Sequence, residues 1–211
     1  MKKREIPKET IERLPLYLRC VNRLVEEGEE NVSSRTLARR LKLNPAQIRK
    51  DLSYFGDFGT RGVGYGTRKL ASAVRSILNL DRRWEMVLVG AGNIGSALLT
   101  YGGFEERGFK ITRAFDKDPS LIGTKIGGVK IEDAAHLKDR LEETQIELAI
   151  LAVPSTNAQD VAQELVAGGI KLVLNFAPVL LNLPERIKVT QVDIAMELEK
   201  LVYYSQGQEE G

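Results

Sequence analysis

Leu14, Leu18, Val21 and Val25 recur at helical spacing, and Tyr17 and Leu24 widen the stripe, so the pattern predicts a first helix over about residues 10–27, ended by Gly28. Ser33 and Ser34 then offer capping hydroxyls to a short second helix that turns Leu37, Ala38 and Leu41 inward. Asn44 caps a third helix whose first position is Pro45, where a missing N–H has no consequence. Projected at about 100° per residue, "NPAQIRKDLSYFG" gathers Ile48, Leu52 and Phe55 on the core side. Ala46, Lys50, Ser53 and Tyr54 face outward, with Gln47 and Arg49 on the flanks. Five glycines fall in the eleven residues from Gly56 to Gly66, which predicts a tight hairpin with Arg61 and Gly62 near its tip. A helix over about 70–78 closes this first domain, assigned to residues 1–80, and "NLDRRW" reads as a linker.

The pattern then changes. "WEMVLVGAGNIGSALLTYGGF" reads as an apolar strand, a glycine turn and a helix, and "KITRAFDKDP" supplies a second strand. Further strands are predicted in "ELAILAV" (147–153), "IKLVLNF" (170–176) and "IKVTQVDI" (187–194), with helices between them. "LIGTKIGGVKI" is expected to add only a small extra strand or turn pair near the sheet edge. Alternating strands and helices predict a doubly wound parallel sheet over residues 81–194. The segment 195–211 carries Met196, Leu198, Leu201 and Val202 as an apolar stripe with little of its own chain left to cover it. The fold class is therefore α/β: an N-terminal winged-helix DNA-binding domain followed by a Rossmann-like doubly wound parallel sheet domain.

Charge sharpens this division. Residues 1–84 hold 19 Lys plus Arg against 10 Asp plus Glu, a net of +9, whereas 85–211 hold 12 against 19, a net of −7. Between Ser33 and Lys69 there are nine basic residues and two acidic ones, which suits a polyanion partner. The predicted DNA-binding set is Ser33, Ser34, Arg35, Asn44, Ala46, Gln47, Arg49, Lys50, Ser53 and Tyr54 on the helix pair, with Arg61 and Gly62 on the wing. Lys and Arg pair with phosphates or guanine, Gln with adenine, and Ser and Tyr with phosphate oxygens. No apolar run is long enough to span a membrane and the N-terminus is strongly charged, so a soluble, cytoplasmic protein is expected. The single cysteine, Cys20, excludes an internal disulfide and a multi-cysteine metal site.

In the second domain, Gly90, Gly92 and Gly95 form the G-x-G-x-x-G turn between strand and helix, with Ala91, Asn93 and Ile94 between them. Gly90 is assigned the tight turn, Gly92 the close approach of a pyrophosphate, and Gly95 the packing of helix on strand. Asp116, 21 residues after Gly95, stands where a carboxylate binds adenosine ribose hydroxyls and disfavours NADP. Val153 and Pro154 in "AVPS", and Phe176 and Pro178 in "NFAPV", are expected beside the nicotinamide. A hydride-transfer enzyme needs a proton-moving group there, yet the lone His136 precedes those strand ends. Tyr65 and Lys69 form a Tyr-x-x-x-Lys pair, but within the basic half. A non-enzymatic sensor is preferred. The alternatives are an NAD-dependent oxidoreductase and a transcription factor sensing another nucleotide such as CoA.

These stretches together resemble the redox-sensing transcriptional repressor Rex family over nearly the whole chain. The matching segments include "RLPLYLR", "VSSRTLARRL", "IRKDLSYFGDFGTRGVGY", "VGAGNIGSAL", "AFDKDPSLIG", "LAVPS", "GIKLVLNFAPV" and "VDIAMELEKLVYY". The resemblance implies a homodimer that holds double-stranded operator DNA when NADH is scarce, releases it when NADH binds, and responds to the NADH/NAD+ ratio. It implies that "AMELEKLVYY" is a helix exchanged between subunits. No metal and no membrane are expected as partners. An apolar pocket around Phe176 should prefer the neutral reduced ring to the cationic oxidised one. Arg19, Tyr101 and Asp193 are candidate partners in a switching polar contact.

Overall fold

The computed structural model describes residues 6–207 and divides into two compact units, Met1–Arg82 and Arg83–Gly211. In the first, α1 (Lys8–Glu26) ends where Gly28 takes a φ of +81°. There the Gly28 N–H donates to Val25 O and the Glu29 N–H to Leu24 O, which satisfies the last helical carbonyls. β1 (Asn31–Val32) follows, then α2 (Ser34–Leu41) and α3 (Pro45–Ser53). β2 (Gly59–Thr60) and β3 (Gly64–Gly66) form the wing, and α4 (Thr67–Ile77) closes the unit. Both predicted caps form: Ser33 Oγ accepts from the Thr36 N–H at 3.0 Å, and Asn44 Oδ1 from the Ala46 N–H at 2.8 Å.

Leu14, Tyr17, Val21 and Leu24 of α1 meet Leu37 of α2, Ile48 and Leu52 of α3, and Leu70 and Val74 of α4 in one buried core. Two details depart from the pattern. α3 stops at Ser53, so Phe55 packs from beyond the helix end and is only partly buried. β1 was not anticipated, because two residues carry no alternation to read; it pairs antiparallel with β3, giving a three-stranded sheet in the order β1-β3-β2.

The second unit is built on β4 (Trp84–Val89), α5 (Asn93–Leu99), β5 (Phe109–Asp116), β6 (Lys125–Ile126), β7 (Val129–Asp133), α6 (Leu137–Glu142), β8 (Leu148–Leu151), α7 (Ser155–Ala167), β9 (Leu172–Asn175), β10 (Lys188–Gln191) and α8 (Ile194–Tyr203). The sheet order is β10-β9-β8-β4-β5-β7-β6, parallel except for the β6–β7 hairpin. β7 is thus more than the small edge element expected. It is the third parallel strand beside β4 and β5, and its short Gly127–Gly128 hairpin partner obscures its period in the sequence.

Counted from β4, the six parallel strands lie in the order 3-2-1-4-5-6, which places the reversal between β4 and β8. Successive residues of β4 serve opposite faces: Val87 and Val89 join a core with Leu137, Leu141 and Leu165, while Met86 and Leu88 join one with Leu99 and Ile131. α8 has no buried residue. Ile194 is 61% exposed and Leu201 64%.

Candidate cofactor cleft and nucleic-acid interface

The turn after β4 separates the three glycines by what surrounds them. Gly90 has a φ of +95°, and a Cβ there would lie 2.5 Å from Ala152 O. A Cβ on Gly95 would lie 1.8 Å from Gly90 O, so side chains are excluded at Gly90 by the chain leaving β8 and at Gly95 by the turn itself. Gly92 has nothing within 4 Å, and Gly92, Asn93 and Ile94 are exposed at the start of α5. That open approach is the space a dinucleotide backbone needs.

At the end of β5, Asp116 Oδ2 accepts from the Ala91 N–H at 2.6 Å and Oδ1 from the Asp118 N–H at 2.9 Å. Asp118 Oδ1 in turn accepts from the Ser120 hydroxyl and N–H, and these bonds hold its carboxyl below the usual carboxylate range. A cleft of about 550 Å³ runs beside this junction. Gly90, Gly92, Asp116, Val153 and Pro154 line it, so the structure brings together residues from three strand ends. Lys117, Asp118, Asn157 and Val161 line it too and were missed. The first two follow Asp116 directly, and Asn157 lies in the first turn of α7 behind Pro154, so these three were legible as neighbours of chosen residues, whereas Val161 stands mid-helix.

The remaining cofactor candidates stand elsewhere. Ala91 and Gly95 are buried beneath the turn. Phe176 packs on the core that holds Met86 and Leu88, and Pro178 is exposed; neither lines this cleft. Their turn is shaped by Asn175, which donates to Val179 O and Gln191 Oε1 and accepts from the Ala177 N–H. An apolar pocket around Phe176 is therefore not part of the cleft at the glycine turn.

In the first unit a groove of about 750 Å³ lies between α2, α3 and the wing, lined by Ser33, Ser34, Arg35, Arg49, Ser53, Arg61 and Gly62 among others. Arg49 Nη1 donates to Ser34 Oγ at 2.9 Å, joining α3 to the start of α2. Arg35, Ala46, Lys50 and Arg61 are exposed, and Tyr54 is half-buried at the end of α3. Gly62 has a φ of +85° at the wing tip, and a Cβ on Gly64 would lie 2.5 Å from Val32 O, which seats the wing on β1.

One residue of this unit escaped the sequence reading. Asp51, fully buried on the inner side of α3, accepts from Thr10 Oγ1 (3.0 Å), Arg13 Nε (2.6 Å) and Nη2 (2.9 Å), Tyr17 Oη (2.5 Å) and Gln47 Nε2 (2.8 Å). Burial opposes its ionisation, but the hydrogen bonds from Arg13, Tyr17, Gln47 and Thr10 outweigh it and hold the carboxyl at about 2. The Tyr17 phenol is pushed up, by burial first and by Asp51 second. A charge one residue before Leu52, on the apolar side of the projected helix, was the available signal.

Residues 81–179 match the family described as "CoA binding domain", and 5–53 match "Putative DNA-binding protein N-terminus". The chain is 46% identical to the redox-sensing transcriptional repressor Rex of Syntrophomonas wolfei, over 97% of both chains. It is 44% identical to that of Chloroflexus aurantiacus over the full length of both. The chain belongs to the redox-sensing transcriptional repressor Rex family. Among solved structures of Rex-family proteins, RSP in complex with β-NAD+ and operator DNA matches with a TM-score of 0.93 at 35% identity, covering 97% of this chain and 94% of RSP. RSP in complex with β-NADH matches with a TM-score of 0.88 at 33% identity, covering 97% and 96%.

Against that Rex background the other candidates take plain structural places. His136 is exposed just before α6 and does not line the cleft. Tyr65 is buried in β3 against Gly59, while Lys69 is exposed on α4. Cys20 is half-buried, and burial pushes its thiol up, away from reactivity. Tyr101 packs edge-on against Phe104 at 5.0 Å, Asp193 caps α8 through the Met196 N–H, and Arg19 is exposed on α1. Among the described residues no helix is long and apolar enough to cross a membrane, and no group of three or more His, Cys, Asp or Glu is placed to hold a metal ion.

Proposed function

We propose that the chain is a redox-sensing transcriptional repressor that holds double-stranded operator DNA and leaves it when NADH binds. The observation that carries this reading is its full-length likeness to RSP, solved both with β-NAD+ and operator DNA and with β-NADH. The units of this chain supply matching chemistry: an exposed basic face on one, and a glycine turn with a carboxylate at the reversal of a parallel sheet on the other.

In this reading residues 1–80 contact DNA. Ser33, Ser34, Asn44, Ser53, Tyr54, Arg35 and Arg49 meet phosphates, Ala46, Gln47 and Lys50 face base edges, and Arg61 and Gly62 enter the minor groove. Residues 81–194 bind NADH or NAD+. The turn from Gly90 through Ala91, Gly92, Asn93 and Ile94 to Gly95 takes the pyrophosphate, Asp116 the ribose hydroxyls, and Val153 and Pro154 the nicotinamide side, with Phe176 and Pro178 on the neighbouring strand end. An apolar surround strips water from a cationic ring at greater free-energy cost than from a neutral one, which favours NADH. The helix in 195–211 is exchanged in a homodimer, where its exposed apolar face finds cover. The protein acts in the cytoplasm as a regulator and turns over no substrate.

A bound cofactor shifts the protein only by its differential affinity for the DNA-competent and DNA-free states, and operator DNA must weaken NADH binding by the same factor. Duplex affinity with NADH and with NAD+ at matched salt tests this. Release by NADH alone is the expected result, and equal release by both sinks the reading. CoA is the second reading, favoured by the family description over 81–179. Asp116 and Asp118 oppose its ribose phosphate, and thermal shift against a cofactor panel separates the two.

A further inference from the structure

The helix read as facing DNA carries a buried anion for which that reading has no use. Asp51 takes donors from three side chains of α1, which fixes α3 on α1, but its fifth hydrogen bond comes from Gln47, one turn back on its own helix. A carboxylate accepts and never donates, so Asp51 determines which end of the Gln47 carboxamide turns inward. The nitrogen faces Asp51 at 2.8 Å, and no hydrogen bond among the described residues reaches Gln47 Oε1. Gln47 is half-buried between exposed Ala46 and the inward side, in the N-terminal half of α3. That half of a recognition helix is the part that meets base edges.

We propose that Asp51 is a positioning residue for sequence reading, holding Gln47 with its carbonyl oxygen outward as an acceptor for an exocyclic base amine. Adenine N6 and cytosine N4 offer that donor in the major groove; guanine O6 and thymine O4 do not. The inference rests on the reading of α3 as a DNA-contacting helix and refines it: Gln47 does not approach a base as a freely rotating amide.

The test is selection of bound sequences from a randomised duplex pool by the full-length protein, without NADH and at fixed salt. Gln47→Ala should lose about fivefold to tenfold discrimination at one base pair, with other positions unchanged, and deleting the exocyclic amine there (purine for adenine, 2-pyrimidinone for cytosine) should cost the wild type a similar factor and Gln47→Ala almost nothing. Asp51→Leu combined with Arg13→Met removes the acceptor together with the cation it pairs, so nothing holds the Gln47 nitrogen inward. Preference at that same base pair should fall by a similar factor. A uniform loss across all sequences in this double variant, with an unchanged profile, makes Asp51 a brace and overturns the proposal. Should that variant not fold, Gln47→Ala and the amine-deleted duplex decide: no altered position, or an amine deletion that costs wild type and Gln47→Ala equally, overturns it. A wild-type protein that selects no sequence at all removes the DNA reading itself, a result distinct from an unchanged profile.

Discussion

Asp116 at the end of β5 accepts the Ala91 N–H at 2.6 Å, so the carboxylate beside the cleft also fastens the glycine turn to the neighbouring strand. One side chain thus shapes the turn and, in the proposed reading, supplies the ribose partner. Asp116→Ala removes both, and NADH affinity should fall by about tenfold or more, read by NADH fluorescence titration. Asp116→Asn retains a carbonyl for the Ala91 N–H but no charge, so it should keep part of the NADH affinity while narrowing the preference for NADH over NADPH.

The glycines should separate folding from binding. Gly95→Ala drives a methyl to within 1.8 Å of Gly90 O, a backbone atom that cannot yield without breaking the turn. Its unit should lose at least about 2 kcal/mol, seen as a lower unfolding temperature without ligand. Gly92→Ala meets nothing within 4 Å and should leave that temperature nearly unchanged while weakening NADH binding, because the methyl occupies the approach to the turn. Equal loss of stability in both variants contradicts this division.

What could be read in advance follows the range of the interaction responsible. Caps at Ser33 and Asn44, the apolar stripe of α1 and the turn at Gly90 are local, and each formed where its residues stood. β7 was underrated because its partners β5 and β6 define it, and a five-residue strand following a glycine pair shows little period of its own. Phe176 was placed at the cleft by its strand end, but which face a residue after β9 serves depends on the Asn175 hydrogen bonds that bend the chain there. Asp51 is one of two acids in a basic stretch, and nothing near it in the chain names its partners. Only the packing of α1 on α3 brings Arg13 and Tyr17 to it across 38 and 34 residues.

Acid sensitivity of the first unit follows from Asp51. Its folded carboxyl lies at about 2 against an ordinary 3.8, so its contribution is fully present above about pH 4 and is lost as pH falls through about 2. A shift of that size corresponds to about 2 kcal/mol. Hydrogen exchange of α1 and α3 amides across that window should show protection falling as pH drops, after correction for intrinsic exchange rates. In Asp51→Asn protection should be lower throughout, and the part of the pH dependence due to this group should vanish. An unchanged pH dependence in the variant shows that some other carboxyl sets it.

α8 gives the last prediction. Its side chains are all exposed, with Leu198 at 58% and Leu201 at 64%, so replacing these two removes little packing within the chain. Leu198→Lys combined with Leu201→Lys should therefore leave the folding of both units nearly intact, as judged by circular dichroism. If this face is covered by a second copy, burying lysines there without partners is unfavourable, and association should weaken by at least about tenfold. Analytical ultracentrifugation over a dilution series reads this directly. A double variant that sediments as the wild type does at every concentration places the subunit contact on another surface, and α8 then has no role in holding two copies together.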